Sequence, residues 1–276
     1  MPNIFLRLIL ALTASLLVSS LSAHDFWIEP DEFMPVPDTE VAISLRQGVE
    51  FKGDTLPYIP DWFEDFSQLS NDGRMPVLSL VGDDPAATLV PEPGPLLLGY
   101  QSERSFVELD ADKFNQYLDH EGIEYLREQR RARGEDDKPA PEYFVRCAKT
   151  LLQSGDVQSD ADTDIYKQVL GYTLELIPEA NPYRLTAGDQ LTFSLLLRNK
   201  PAEGLLLQAF TRDQPELIQK IRIDVDGHGT VNLDRPGIWF VKAVSIEPVA
   251  GDPQALWESF WASYLFELPA AETVSD

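Results

Sequence analysis

Gln190-Leu191-Thr192-Phe193-Ser194-Leu195-Leu196-Leu197-Arg198-Asn199 is followed by the turn Lys200-Pro201-Ala202-Glu203-Gly204. Leu205-Leu206-Leu207-Gln208-Ala209-Phe210-Thr211-Arg212-Asp213 comes next. A strand-length apolar run, a Pro/Gly break and a second run of the same length read as two strands and their connection. The pattern extends in both directions. Gly171 to Pro178, Ile218 to Asp226, Thr230 to Leu233 and Ile238 to Pro248 are further strands, joined by Asn-Pro, Ala-Gly-Asp and Asp-Gly turns, and Trp257 to Leu268 ends as another. Turn signals recurring roughly every 8 to 12 residues predict an immunoglobulin-like or transthyretin-like sandwich.

Toward the N-terminus the signal is weaker. Val41-Ala42-Ile43-Ser44-Leu45-Arg46 alternates as a half-buried strand does. Pro76 to Gly82, Ala87 to Pro91, Leu96 to Ser102 and Phe106 to Asp110 are further strand candidates, and the aromatic, acidic stretch from Lys52 to Asp72 reads as a long loop. From Asp112 the period changes: Phe114, Tyr117, Leu118, Tyr125 and Leu126 share a helical face. After Pro139-Ala140-Pro141, the spacing of Tyr143, Phe144, Cys147, Leu151 and Leu152 predicts a second helix, and Ser154 to Asp164 reads as an acidic linker. The expected fold class is mainly β, with immunoglobulin-like or transthyretin-like sandwich domains and a small helical insert. The expected divisions are a signal peptide at 1–23, a β-rich unit at 24–112, a helical insert and linker at 113–164, and a C-terminal sandwich at 165–276.

Export is read from the first 23 residues. Arg7 is the only charge before an apolar run from Leu8 to Val18, too short to span a bilayer, and small residues at Ser19, Ser20, Ser22 and Ala23 precede a polar jump at His24-Asp25. Cleavage after Ala23 is expected, with a cut after Ser20 as the alternative. The mature chain is then expected in the periplasm, with no membrane insertion of its own. Arg7 leaves with the leader, so 21 basic groups face 46 acidic ones, a side-chain charge of −25. That charge repels nucleic acid and anionic lipid. The one cysteine, Cys147, excludes an internal disulfide and reads as a small buried hydrophobe.

Ala23-His24-Asp25-Phe26-Trp27-Ile28-Glu29-Pro30, Val145-Arg146-Cys147-Ala148-Lys149-Thr150-Leu151-Leu152, Leu174-Glu175-Leu176-Ile177-Pro178 with Asn181-Pro182, Asp226-Gly227-His228-Gly229, Gly237-Ile238-Trp239 and Trp261-Ala262-Ser263-Tyr264-Leu265 occur in that order. In this order they resemble a family of periplasmic proteins described as NikM-like nickel or cobalt uptake components. The resemblance implies immunoglobulin-like β-domains and a role in handling transition metal ions; it implies no particular reaction.

The residues themselves point first to His24. Cleavage before it frees an α-amine that can chelate one metal ion together with the ring Nδ1 of the same residue, a donor pair suited to Ni(II), Co(II) or Cu(II) and not to calcium or magnesium. His228, in the turn Asp226-Gly227-His228-Gly229, and His120, on the first helix, are the other candidate ligands. No HxH, HxxxH, CxxC, nucleophile-elbow or P-loop spacing occurs. Three function classes follow. The first is a non-enzymatic periplasmic protein that binds or delivers a metal ion through its mature N-terminal histidine. The second is a metal-free immunoglobulin-like module that docks on a transporter or envelope partner. The third is a copper oxidoreductase, which needs a second histidine beside His24. The aromatic set Trp257, Phe260, Trp261 and Tyr264 is expected to pack a core rather than to form a sugar platform.

Overall fold

The computed structural model describes residues 24–156 and 164–270. The expected signal peptide and most of the expected linker lie outside the described residues. What is described is mainly β, a stack of three sheets with a helical hairpin.

The middle layer has nine strands. Its spatial order is β14 (Gln214–Arg222), β13 (Leu206–Thr211), β16 (Gly237–Pro248), β17 (Trp257–Leu268), β9 (Ala140–Ser154), β7 (Gly94–Ser102), β4 (Phe63–Ser70) and β5 (Gly73–Pro76). The short β8 (Ser105–Leu109) pairs with the first part of β9. A second sheet holds β1 (Asp25–Pro30), β2 (Val41–Val49), β3 (Lys52–Leu56) and β6 (Ala87–Leu89). The third holds β10 (Leu174–Pro178), β11 (Gln190–Leu197), β12 (Lys200–Pro201) and β15 (His228–Asn232). Helices α1 (Ala111–His120) and α2 (Glu124–Ala132) precede β9. The middle sheet takes strands from both sides of residues 113–164, so the expected divisions do not coincide with a sheet boundary.

The joint is the pairing of β17 with β9, which is parallel and runs from Trp257 opposite Glu142 to Leu265 opposite Thr150. Parallel strands are buried on both faces. Val145, Cys147 and Leu151 of β9 accordingly enter the core shared with the third sheet, with Leu191, Phe193 and Leu195. Ala148 and Leu152 enter the opposite core, with Phe26, Ile28 and Ile43 of the second sheet. On that same opposite face, Phe114, Tyr117 and Leu118 of α1 pack on Val244, Trp257 and Trp261. The aromatic set of β17 is core, as expected: Trp257, Phe260, Trp261 and Tyr264 are all buried.

Three expectations are corrected. The second helix over Tyr143 to Leu152 is instead the central strand β9. A strand covered on both faces is apolar almost continuously, so spacing of three and four arises without a helix. Lys52 to Asp72 is not a loop but contains β3 and β4. Pro76 to Gly82 is mostly loop, because the Asp83 carboxylate accepts hydrogen bonds from Ser79 Oγ and the Leu80 amide and closes a turn there. Cys147 lies on β9, and burial pushes its thiol up to about 12.

Two polar devices fasten the covers. Strand β1 is an edge strand whose outward carbonyls would be left unpaired in the core. Ser263 Oγ donates to Phe26 O and Thr150 Oγ1 to Ile28 O, each at 2.7 Å, which satisfies them. On the other face, Lys149 Nζ meets Glu175 Oε1 at 2.7 Å with both side chains 1% exposed. The ammonium also donates to the Gln168 and Leu176 carbonyls, and the carboxylate accepts from the Leu170, Gly171 and Tyr172 amides. Removing one partner of such a pair strands a buried charge. Lys149→Met is therefore expected to lower the free energy of unfolding by about 3 to 5 kcal/mol in urea titrations. A loss below about 1 kcal/mol would show that solvent reaches Glu175.

Candidate functional site

Two covers share one face of the middle sheet, the second sheet and the helical hairpin, and the seam between them is polar. Lys242, on β16, points into it with a side chain only 5% exposed. Its Nζ lies 2.7 Å from Asp25 Oδ1, on the first residue of β1, and 2.9 Å from Glu121 Oε1, just past α1. Gln208 Nε2, on β13, donates to Glu121 Oε2 at 2.9 Å, and His120 Nδ1 lies 2.8 Å from Glu121 Oε1. Strand, helix end and sheet are thus tied by one ammonium. A cleft of about 300 Å³ opens beside it, lined by Asp25, Lys113, Gln116, Tyr117, His120 and Lys242 among others.

One ammonium shared by two buried carboxylates leaves a net negative charge. Burial raises the Lys242 problem, yet the two carboxylates hold its pKa above the ordinary lysine value. The carboxyls differ. Burial pushes Asp25 up, against the pull of Lys242 and with the repulsion of Glu121. Glu121 feels the same burial but is held below its ordinary value by Lys242 and His120.

The predicted histidines fall into two places. His24 stands directly ahead of Asp25; burial and then Arg146 lower the pKa of its ring, while Asp25 and Asp54 pull the other way. The imidazole is thereby kept neutral, the form that binds metal. His120 is half-exposed and engages Glu121 through Nδ1, which leaves Nε2 as the remaining donor position of the ring. Asp25 links the two: His24 precedes it in the chain, and His120 bonds the Glu121 that shares Lys242 with it. His228 does not join them. It opens β15 in the third sheet, beyond the middle layer, where Nε2 lies 3.1 Å from Glu179 Oε1 and both side chains are exposed. Its turn is held by the Asp224 carboxylate, which accepts from the Asp226 and His228 amides.

Among the described residues, no three His, Cys, Asp or Glu side chains are arranged to hold a metal ion. Lys242, Glu121, Gln208 and Glu142 were not among the residues singled out from sequence. Lys242 alone carried a signal, a lone charge inside the apolar run Ile238 to Ile246.

Beneath the cleft lies a second acid. Glu142 Oε1 accepts a hydrogen bond from Ser259 Oγ, which in turn accepts from Trp261 Nε1 at 2.9 Å. Tyr117 stacks on Trp261 with ring centroids 5.1 Å apart. Among the described residues, Glu142 Oε2 and Trp257 Nε1, both buried, have no hydrogen-bond partner. Burial outweighs the Ser259 bond and raises the Glu142 carboxyl to about 7.

The family described as Domain of unknown function (DUF4198) matches residues 21–247. The chain belongs to that family. The match takes in His24, His120, His228 and every residue of the polar seam. Comparison with curated proteins gives no match. Among the described residues, no helix is long and apolar enough to cross a membrane.

Glu142 makes a pH prediction. Below about pH 4.5 both folded and unfolded chains hold the proton; between about 4.5 and 7 only the folded chain does, so folding is progressively disfavoured, and above 7 the cost is constant. Glu142→Gln removes that slope. Relative to wild type, the variant is expected to gain about 3 kcal/mol of stability between pH 4 and pH 8, read from urea midpoints at each pH. A constant difference would place the Glu142 titration at the ordinary carboxylate value.

Proposed function

We propose that the protein is an exported periplasmic protein that binds and hands on a transition metal ion, with nickel or cobalt the expected cargo, through a mature N-terminal His24. The observation that carries the reading is that Asp25, the residue after His24, and His120-Glu121, at the end of α1, meet around Lys242 beside one cleft. Asp25 and Glu121 are engaged by the ammonium, so they serve as counter-charge rather than as ligands. The donors that remain are nitrogens: the His24 imidazole, the α-amine that cleavage would free beside it, and His120 Nε2. Such borderline donors select Ni(II), Co(II) or Cu(II) over calcium and magnesium. A carboxylate on the far ring nitrogen is the usual way a ligating histidine is oriented and made more basic, and Glu121 stands in that position to His120. The NikM-like resemblance and the leader-like residues 1–23 support the same reading.

His228, in a separate sheet, has no part in this site. A second reading is a copper oxidoreductase built on a terminal histidine, which needs a second ring beside the first; His120, linked to Asp25 through Glu121 and Lys242, is the candidate for it.

Native mass spectrometry of protein recovered from the periplasm, with one equivalent of Ni(II) or Cu(II), tests both. One retained ion on a chain starting at His24 is expected. The ion is lost when an extra Ala precedes His24, and His120→Ala weakens retention about 10- to 100-fold. Retention unaffected by either change, or a chain starting elsewhere, would sink the site. Reductant-dependent oxygen consumption by the copper form would favour the oxidoreductase, and no retained ion at all would favour a metal-free docking module.

A further inference from the structure

At the end of the sheets where β7 begins and β9 ends, two clefts share a wall made of Asn71, Pro93 and Pro95. One has a volume of about 770 Å³ and the other about 220 Å³. The larger is walled mostly by apolar residues, the smaller by apolar and polar residues in about equal share, and both walls are stiff. Pro35, Pro37, Pro91, Pro93 and Pro95 line them, and each proline fixes its backbone and presents a flat face without an N–H. Val36, Met75 and Val90, also in these walls, are 70%, 57% and 55% exposed. Large aliphatic side chains gathered around a groove mark a surface that another molecule covers.

Two further observations say what kind of molecule. The titratable residues in the walls are Asp72, Glu92 and Asp156; neither wall contains a lysine or an arginine. In the larger cleft, Gln153 is 1% exposed, and among the described residues its Oε1 has no hydrogen-bond partner. Its Nε2 reaches the Asp156 carbonyl at 3.5 Å and its amide the Phe33 carbonyl at 2.9 Å, so the side-chain oxygen is the group still waiting for a donor.

We propose that this groove docks an extended segment of a partner protein that carries aliphatic side chains and at least one Lys or Arg. The two clefts take the apolar side chains, the carboxylates meet the cation, and Gln153 Oε1 accepts an N–H from the segment. An extended chain suits the groove because its side chains alternate while its backbone donors stay exposed. Proline walls keep the groove open before binding, so little ordering is left to do at docking. The groove lies apart from the cleft beside Lys242, and the proposal does not depend on metal binding.

The test is selection from a random peptide phage library on the wild-type protein, with counter-selection on Val36→Lys/Val90→Lys. Both changes are at exposed positions, and circular dichroism and the thermal midpoint check the fold of the variant. Enriched peptides combining aliphatic residues with Lys or Arg are expected. Made synthetically, they should bind in the micromolar range, at least 10-fold more weakly to the double variant, about 10-fold more weakly to Gln153→Met, and more weakly as salt is added. His24→Ala should leave their binding unchanged. No enrichment, acidic consensus sequences, or equal binding to wild type and the double variant would overturn the proposal.

Discussion

The parallel pairing of β9 with β17 is the constraint on which the rest of the structure depends. It welds a strand from the middle of the chain to one near its end, and so makes a single nine-stranded sheet from elements that stand far apart in sequence. A sheet with its centre parallel has two apolar faces, and both must be covered. One face takes a single cover, the third sheet. The other takes two, the second sheet and the helical hairpin, and two covers on one face leave a seam. Polar groups meet the middle sheet along that seam, where Asp25, Glu121, His120 and Lys242 gather.

Each face of the middle sheet carries one buried lysine, Lys242 on one and Lys149 on the other, and each holds down a cover. Desolvating such charges costs about as much as pairing them returns, so these bridges add little net stability. Their contribution is placement. Lys149 with Glu175 sets the loop that leads into β10, and Lys242 fixes the start of β1 against the end of α1. An apolar pair of equal volume would let either cover slide along its face; a buried ammonium with two or three fixed acceptors does not.

The strands with one solvent-facing side were legible in the sequence, because alternation and turn residues both mark them. Gln190 to Asn199 corresponds closely to β11, and Phe114, Tyr117 and Leu118 are the buried face of α1; β16, buried on both faces along most of its length, was legible from its bounding residues Gly237 and Pro248 rather than from alternation. The central strand was not legible. Buried on both sides, β9 loses the period that marks a strand, and the polar Arg146 and Lys149 within it mimic the wet face of a helix. The candidate site was half legible. His24 stood out through chemistry at a cleavage-like boundary, but nothing in the spacing of His120 ties it to residue 25, ninety-five positions earlier. That link runs through Lys242 and exists only once β16 and β1 lie on the same face.

A chelate built on the first residue of a mature chain ordinarily sits on a frayed end, and its donors pay for ordering when the ion binds. Here the next residue is anchored three ways. Asp25 pairs with Gly48 on β2, its carboxylate is held by Lys242, and its side chain is buried. Gly48 in turn faces Gly53 across the hairpin so closely that a Cβ on Gly48 would lie 2.0 Å from the Lys52 carbonyl oxygen. The hairpin can close tightly behind β1 only with glycine there. On the proposed reading, an ion at His24 would be held one peptide bond from a fixed point, with the ordering that a free terminus lacks supplied by the sheet.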